Sequence, residues 1–409
     1  MQSLLIRGGK PLYGTIPISG SKNAVLPMLA AAVLFRESCR IRNCPDLTDV
    51  HAGVAILRWL GAEVRWQGRD LLVNPEPIAR WQIPGELMGL MRGSVFFTGP
   101  LLARLGNCVL SVPGGCPIGA RPVDFHASGF EALGAVREGD RFFGPLTGGE
   151  ICLPYPSVGA TENLLMAALG ASGITRIHNA AREPEIVCLC DFLRAGGCRV
   201  TGDGTDTIHI RGGLPGTGAL APIPDRMEAA TFACALASAG GEIILDGADH
   251  THLTALLEVL ERSGCGIIKE KTRIILSAHG LVSPGDITTG PYPGFPTDAQ
   301  APVMAAMIRA RGETIIRETV FEGRMGHVEP LRAMGARIAL SGGTARITGT
   351  WELLGRKVTA SDLRCGGALA VAALGARGLT EIHGVAHILR GYEDFAGKLR
   401  ALGADACLA

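Results

Sequence analysis

Hydrophobic and polar positions along this chain fall into a pattern that returns six times. A helix-like stretch runs into a glycine and then into a short alternating segment. The six cases are Leu60-Gly61-Ala62-Glu63-Val64, Leu133-Gly134-Ala135-Val136, Gly196-Gly197-Cys198-Arg199-Val200, Ser263-Gly264-Cys265-Gly266-Ile267, Met334-Gly335-Ala336-Arg337-Ile338 and Leu402-Gly403-Ala404-Asp405. Each reads as a helix end, a left-handed glycine cap and a strand. The glycines at 61, 134, 197, 264, 335 and 403 are separated by 73, 63, 67, 71 and 68 residues. Such spacing marks an internal repeat.

A second landmark keeps the same beat. Polar or charged residues open a run of small apolar residues at Ser21-Lys22-Asn23, Met91-Arg92-Gly93-Ser94, Ser157 to Glu162, Asp225-Arg226-Met227-Glu228, Thr297-Asp298-Ala299-Gln300 and Asp362-Leu363-Arg364. From Lys22, Arg92, Gly159, Arg226, Asp298 and Arg364 to the next glycine mark is 39, 42, 38, 38, 37 and 39 residues. Each unit of about 68 residues therefore predicts two helices and several strands. The first helix is apolar nearly all round, as in Leu164-Leu165-Met166-Ala167-Ala168-Leu169, and such a helix is buried. The second is amphipathic, as in Leu256 to Arg262. Segments such as Ile208-His209-Ile210 and Arg273-Ile274-Ile275-Leu276 supply strands. The fold class expected is α/β (α+β): an inside-out α/β barrel in two domains of three repeats each, helices inside and sheets outside.

The starts of the first helices bear on function. Ser21, Thr297 and Asp362 read as ordinary caps. Lys22, Arg92 and Arg364 do not, because a cation at a helix N-terminus is mildly unfavourable. Unpaired N–H groups beside a cation make an anion-binding site.

Composition narrows the class. The 409 residues are 47% hydrophobic and 5% aromatic, with 57 glycines, so the core is aliphatic and the turns are many. A net charge of +1 gives no electrostatic footprint for nucleic acid. The first residues lack the basic and apolar regions of a signal peptide. The apolar stretch from Ala24 to Phe35 is too short to span a bilayer and contains Pro27, so no membrane insertion is expected. Twelve cysteines without a secretory signal point to a reducing, cytoplasmic setting. No Cys-x-x-Cys pair exists, and the close pair Cys188-Leu189-Cys190 has no His/Cys cluster with it, so no structural zinc is expected.

Most cysteines, including Cys152, Cys234, Cys407, Cys198 and Cys265, read as small packing residues. Cys116 is different. It sits in Pro113-Gly114-Gly115-Cys116-Pro117-Ile118-Gly119-Ala120-Arg121-Pro122, a stretch that cannot continue a helix or a central strand. Arg121 is close enough to favour a thiolate. Cys116 is either a chemical residue or a small side chain pinning a turn. Candidate cations are Lys22, Arg92, Arg121, Arg324, Arg364 and Arg390. Singly, each reads as a solvated surface residue. Together they could grip a small, highly charged anion. Asp298, after Pro293-Gly294-Phe295-Pro296-Thr297, reads equally as a general base and as an N-terminal cap. Asn23 could orient a hydroxyl. His126 reads foremost as a satisfied core histidine and secondarily as a ligand or proton carrier. No phosphate-binding P-loop, Rossmann glycine fingerprint, His-Glu-x-x-His or Gly-x-Ser-x-Gly is present.

Taken together these segments resemble the UDP-N-acetylglucosamine 1-carboxyvinyltransferases, nearly end to end. The resemblance rests on Ile18 to Asn23, Pro113 to Asp124, Pro156 to Asn163, Asn179 to Ile186, Pro293 to Asp298, Glu318 to Arg324, Asp362-Leu363-Arg364 and Arg390-Gly391-Tyr392. It implies two three-repeat domains, 22–223 and 1–21 plus 224–409, sharing a cleft that closes on substrate. It implies transfer of the enolpyruvyl group of phosphoenolpyruvate to the 3-hydroxyl of UDP-N-acetylglucosamine, the first committed step of peptidoglycan synthesis, with no metal or other cofactor. Cys116 resembles the family's proton donor and the residue alkylated by fosfomycin, and Asp298 the group that takes the sugar proton. By the same resemblance Lys22, Arg92, Arg121, Arg364 and Arg390 hold phosphate and carboxylate, with Asp362 beside Arg364 in the same segment. Arg324 helps closure, Asn23 holds the sugar, and Pro122 and Asp124 meet uracil. Ser157, Val158 and Gly159 bind diphosphate, and Phe321 flanks the nucleotide.

The chain departs from the family pattern in a few places. Gly93-Ser94 and Cys365-Gly366-Gly367 stand where alanines are usual, which is expected to loosen packing. Tyr155 stands where some members have lysine. The end, Ala404 to Ala409, is short, and its last strand is expected to be clipped. Two other readings remain: a non-catalytic copy that holds UDP-N-acetylglucosamine, and the sister shikimate-pathway enzyme, which would lack the Cys116 loop.

Overall fold

The computed structural model describes residues 2–115, 119 and 122–409. The helices with apolar surfaces all round are buried all round. In Leu363–Gly375 every residue is buried, and in Arg226–Ala239 all but the last. Small side chains allow the close approach. A Cβ on Gly99 would lie 2.2 Å from the Asn163 carbonyl oxygen, where the helices Thr98–Leu105 and Val158–Ala168 meet.

The described chain divides into two compact units. One comprises residues 2–19 and 224–409, and its helices Arg226–Ala239, Thr297–Met307 and Leu363–Gly375 pack on one another. The other comprises 20–115 and 122–223, with Lys22–Ala31, Thr98–Leu105 and Val158–Ala168 in its core.

Each unit carries three sheets, and five of the six share one plan. An edge strand lies parallel to its neighbour, and the remaining pairs are antiparallel. In one, Leu12–Pro17 lies parallel to Gly241–Asp246, followed by Arg273–Ala278 and Gly266–Lys269. In another, Leu4–Arg7 lies between Leu379–His383 and Asp405–Leu408. The last strand, expected to be clipped, pairs along the whole of Leu4–Arg7, with Leu4 opposite Leu408. The sixth sheet, Asn107–Val109, Arg141–Phe143 and Val136–Glu138, has no parallel edge strand among the described residues. Residues 79–82, which precede it in the chain, instead line a cavity of about 440 Å³ with Trp59 and Pro84.

All six marker glycines have positive φ: Gly61 117°, Gly134 99°, Gly197 92°, Gly264 92°, Gly335 102° and Gly403 84°. Each stands between a helix and a strand, as the left-handed cap requires. At the C-terminal ends of the buried helices, Arg104 donates to the Val33 and Phe35 carbonyls, and Arg309 to that of Gly375. Guanidinium groups there satisfy orphan carbonyls and suit the helix dipole.

Several local expectations are corrected. Arg92 opens a 3-10 stretch, Arg92–Phe97, before the α-helix starts at Thr98. Cys152 and Cys407 are exposed rather than packed. The Gly366-Gly367 pair tightens packing rather than loosening it. A Cβ at Gly366 would lie 2.5 Å from Ile388, and one at Gly367 would lie 2.7 Å from the Tyr392 hydroxyl.

Gly403 and Gly280 are both exposed, and an added Cβ would meet nothing at either, but only Gly403 has positive φ. Gly403→Ala is expected to cost about 1 kcal/mol, and Gly280→Ala to be near neutral. Urea unfolding midpoints of the two variants check the difference.

Candidate active site

Most of the described residues singled out in the sequence lie at or beside helix starts, in two sets, one on each unit. On the unit built from 224–409, Asp298 lies in the first turn of Thr297–Met307. Its side chain does not cap that helix. Oδ2 accepts from Arg364 Nη2 at 2.5 Å, and Oδ1 from Arg324 Nη2 at 2.6 Å. Both arginine side chains are buried, at 7% and 9% exposure, which corrects the reading of each as a solvated surface cation. Arg364 follows Asp362, whose carboxylate caps Leu363–Gly375 through the N–H groups of Arg364 and Cys365. Burial works against the Arg364 charge, but Asp298 and neighbouring groups more than offset it and raise its pKa.

Behind Arg364 stands Tyr392, fully buried. Its hydroxyl lies 2.8 Å from Thr231 Oγ1, which donates to the Met227 carbonyl. Tyr392 therefore donates to Thr231 and accepts from Arg364 Nη1 at 3.5 Å. Arg390 is half-buried two residues before Tyr392. Phe321 lies under the Arg324 guanidinium, 5.4 Å from ring centroid to Cζ. Thr297 is not a cap: the cap position is Pro296, without a side-chain bond, and the Thr297 hydroxyl goes to Glu318.

On the other unit, Ser21 caps Lys22–Ala31. Lys22 Nζ is 3.5 Å from Asp49 Oδ2, a carboxylate the sequence reading missed. Its one local signal was Thr48-Asp49 at the start of an amphipathic helix. Asn23, next to Lys22, is half-buried. Arg92 Nη2 donates to the Pro122 carbonyl at 3.2 Å. Asp124 is exposed at the first residue of Asp124–Ala132. Ser157 accepts from the Ala160 N–H, so Val158 and Gly159 form the first turn of their helix. Cys116 and Arg121 lie outside the described residues.

His126 is a satisfied core histidine. Asn163 Oδ1 accepts the Gly99 N–H, so its Nδ2 faces Thr98 Oγ1 and His126 Nδ1, at 2.9 Å each. Nδ1 is then an acceptor, and the ring proton sits on Nε2. Burial, then Arg92, pushes the pKa down to about 3, so His126 stays neutral at physiological pH. Glu162 is its acidic counterpart. It is 1% exposed, and neither carboxyl oxygen has a hydrogen-bond partner among the described residues. Burial first, then Glu185 and Glu183, holds its pKa well above the usual carboxylate range. Among the described residues no three His, Cys, Asp or Glu side chains are arranged to hold a metal ion, and no helix is long and apolar enough to cross a membrane.

A family model for EPSP synthase (3-phosphoshikimate 1-carboxyvinyltransferase) matches residues 6–399. The UDP-N-acetylglucosamine 1-carboxyvinyltransferase 1 of Halalkalibacterium halodurans is 44% identical over 413 residues, covering 99% of this chain and 94% of the relative. The chain belongs to the UDP-N-acetylglucosamine 1-carboxyvinyltransferase family. Another family member, UDP-N-acetylglucosamine 1-carboxyvinyltransferase 2 of Carboxydothermus hydrogenoformans, is also 44% identical, with 99% and 98% coverage. Among solved structures, the enolpyruvyl transferase NikO from Streptomyces tendae superposes over 100% of this chain and 99% of its own, with a TM-score of 0.89 and 25% identity. The EPSP synthase of Acinetobacter baumannii, at 19% identity and a TM-score of 0.75, shares the fold. This carboxyvinyltransferase-family chain thus has the mixed α/β fold of enolpyruvyl transferases.

Glu162 sets a pH dependence. A carboxyl whose pKa is raised by folding contributes stability at low pH that is lost as pH rises from the ordinary glutamate value, about 4.3, towards the folded value. Glu162→Gln keeps the shape without the ionisation. Its stability is expected to fall less than that of the unaltered protein between pH 4.5 and 8, read from urea midpoints across that range.

Proposed function

We infer that this protein moves the enolpyruvyl group of phosphoenolpyruvate to the 3-hydroxyl of UDP-N-acetylglucosamine and releases phosphate, the first committed step of peptidoglycan synthesis. The observation that carries the reading is 44% identity over 99% of the chain to transferases named for that substrate. The Asp298, Arg324 and Arg364 cluster gives the reading a chemical centre.

The reaction is an addition followed by an elimination. The sugar O3 attacks C2 of the enol while C3 takes a proton. The tetrahedral adduct then loses the C3 proton and phosphate. Asp298 accepts the proton of the sugar hydroxyl as general base. Arg364 and Arg324 fix both of its oxygens, so the carboxylate has one orientation. Cys116, in its glycine- and proline-rich stretch of sequence, supplies the proton to C3, with Arg121 five residues on. Lys22, Arg92, Arg121, Arg364 and Arg390 stabilise the phosphate and carboxylate charges. Asn23 holds the sugar, and Ser157, Val158 and Gly159 offer a helix start to the diphosphate. Pro122 and Asp124 meet uracil, Phe321 flanks the nucleotide, and Asp362 holds the Arg364 turn. The reaction needs no metal or other cofactor, and fosfomycin is expected to alkylate Cys116. The protein works in the cytoplasm on small molecules, without nucleic acid.

The fold is read in the same way, as an inside-out α/β barrel of six repeats in two domains, 22–223 and 1–21 plus 224–409. Six positive-φ glycines in phase and five sheets of one plan support that reading.

Phosphate release from phosphoenolpyruvate is expected only when UDP-N-acetylglucosamine is present. Cys116→Ala is expected to abolish it at neutral pH while leaving nucleotide-sugar binding intact. Asp298→Asn is expected to lower kcat at least a hundred-fold. Release without the nucleotide sugar, or fosfomycin labelling of another cysteine, would contradict the assignment.

A further inference from the structure

We infer that Glu318 is a positioning residue for this reaction, aligning the nucleotide-side loop with the helix start that carries Asp298. The inference rests on the proposed roles of Asp298, Phe321 and Arg324. Glu318 is 8% exposed, and its carboxylate draws three chain segments together. Oε1 accepts from the Val320 N–H at 2.8 Å, the Phe321 N–H at 3.0 Å and Thr289 Oγ1 at 3.1 Å. Oε2 accepts from Thr297 Oγ1 at 2.8 Å. A second clasp ties Thr289 to the next residue: the Thr319 N–H donates to Thr289 Oγ1, and Thr319 Oγ1 to the Thr289 carbonyl.

The direction of these bonds makes the carboxylate more than a staple. Thr297 has one hydroxyl hydrogen, and Glu318 takes it. The Thr297 oxygen is then left as an acceptor, and Arg324 Nη1 donates to it at 3.0 Å. The other terminal nitrogen of Arg324 holds Asp298 Oδ1. Glu318 thereby fixes the polarity of a relay from Arg324 through Thr297, and the backbone on which Phe321 sits beneath that guanidinium. The missing side-chain cap at Pro296 fits this use, since the Thr297 hydroxyl is committed to the relay. A carboxylate accepting charge-assisted and backbone bonds at once is a strong anchor, and binding geometry depends on such supporting groups.

Glu318→Gln removes one acceptor edge and keeps the volume. Thr297→Val removes the relay hydroxyl, and Thr297→Ser keeps it. Steady-state phosphate release is expected to show KM for UDP-N-acetylglucosamine raised at least ten-fold in Glu318→Gln and Thr297→Val. KM for phosphoenolpyruvate should stay within two-fold, and Thr297→Ser should stay within three-fold on both. Where turnover is too slow, the calorimetric Kd for UDP-N-acetylglucosamine reads the same quantity. A role confined to folding would lower kcat with the active fraction and leave KM unchanged. That result, or constants within two-fold of the unaltered protein, overturns the inference. Asp298→Asn is assayed in parallel. If it turns over normally, the role of Asp298 fails, while the ten-fold effect at Glu318 is still judged on Phe321 and Arg324.

Discussion

Helices that are apolar on every side leave only their ends for charge. That constraint organises the rest of the molecule. Along Val158–Ala168 every residue from Ala160 onward is buried, and the central helices of the other unit are sheathed as completely. Charged side chains are therefore concentrated at the N-terminal turns, where each must find a partner. Losing one partner of a buried pair costs about 3–5 kcal/mol. Arg364 and Arg324 share Asp298, Lys22 faces Asp49, and Lys398 bonds Glu228 and Ser19 together. The groups compelled to pair in this way include those assigned to the substrates.

On the unit carrying Lys22 and Arg92, burial favours the neutral form of two ionisable side chains, in opposite senses. The His126 pKa is pushed down by burial and then by the Arg92 charge, and that of Glu162 is pushed up by burial and then by two neighbouring carboxylates. In each case the disfavoured form is the one whose charge would compete with the task assigned to its neighbours. A cationic His126 would repel Arg92. An ionised Glu162 would oppose an anion bound at the helix start three residues earlier in the chain, beside Gly159.

Features fixed by neighbours in sequence were legible in the sequence. The glycine caps, the Ser21 and Asp362 caps and the all-round apolar helices all follow from local chemistry. The family motifs also marked Asp298 and the arginines. What escaped depends on partners far along the chain. The burial of Arg324 and Arg364 is decided by Asp298, and the diversion of Thr297 from capping by Glu318, 21 residues on. Gly367 looked like a packing defect because the Tyr392 hydroxyl that fills its space comes from another segment. Glu318 sat inside a motif already noted, but nothing local distinguishes a carboxylate that anchors three segments from a solvated one.

The two N-terminal strands impose an order on assembly. Leu4–Arg7 is an interior strand whose partners are Leu379–His383 and Asp405–Leu408, and Leu12–Pro17 needs Gly241–Asp246. During synthesis each strand precedes its partners by a long stretch of chain, and the inner one gains its last neighbour only when Asp405–Leu408 emerges. Residues 20–115 and 122–223 have all their strand partners among themselves and can complete their sheets earlier. Until its partners emerge, Leu4–Arg7 is an unpaired apolar segment, and a nascent chain is exposed to misassociation at such a strand.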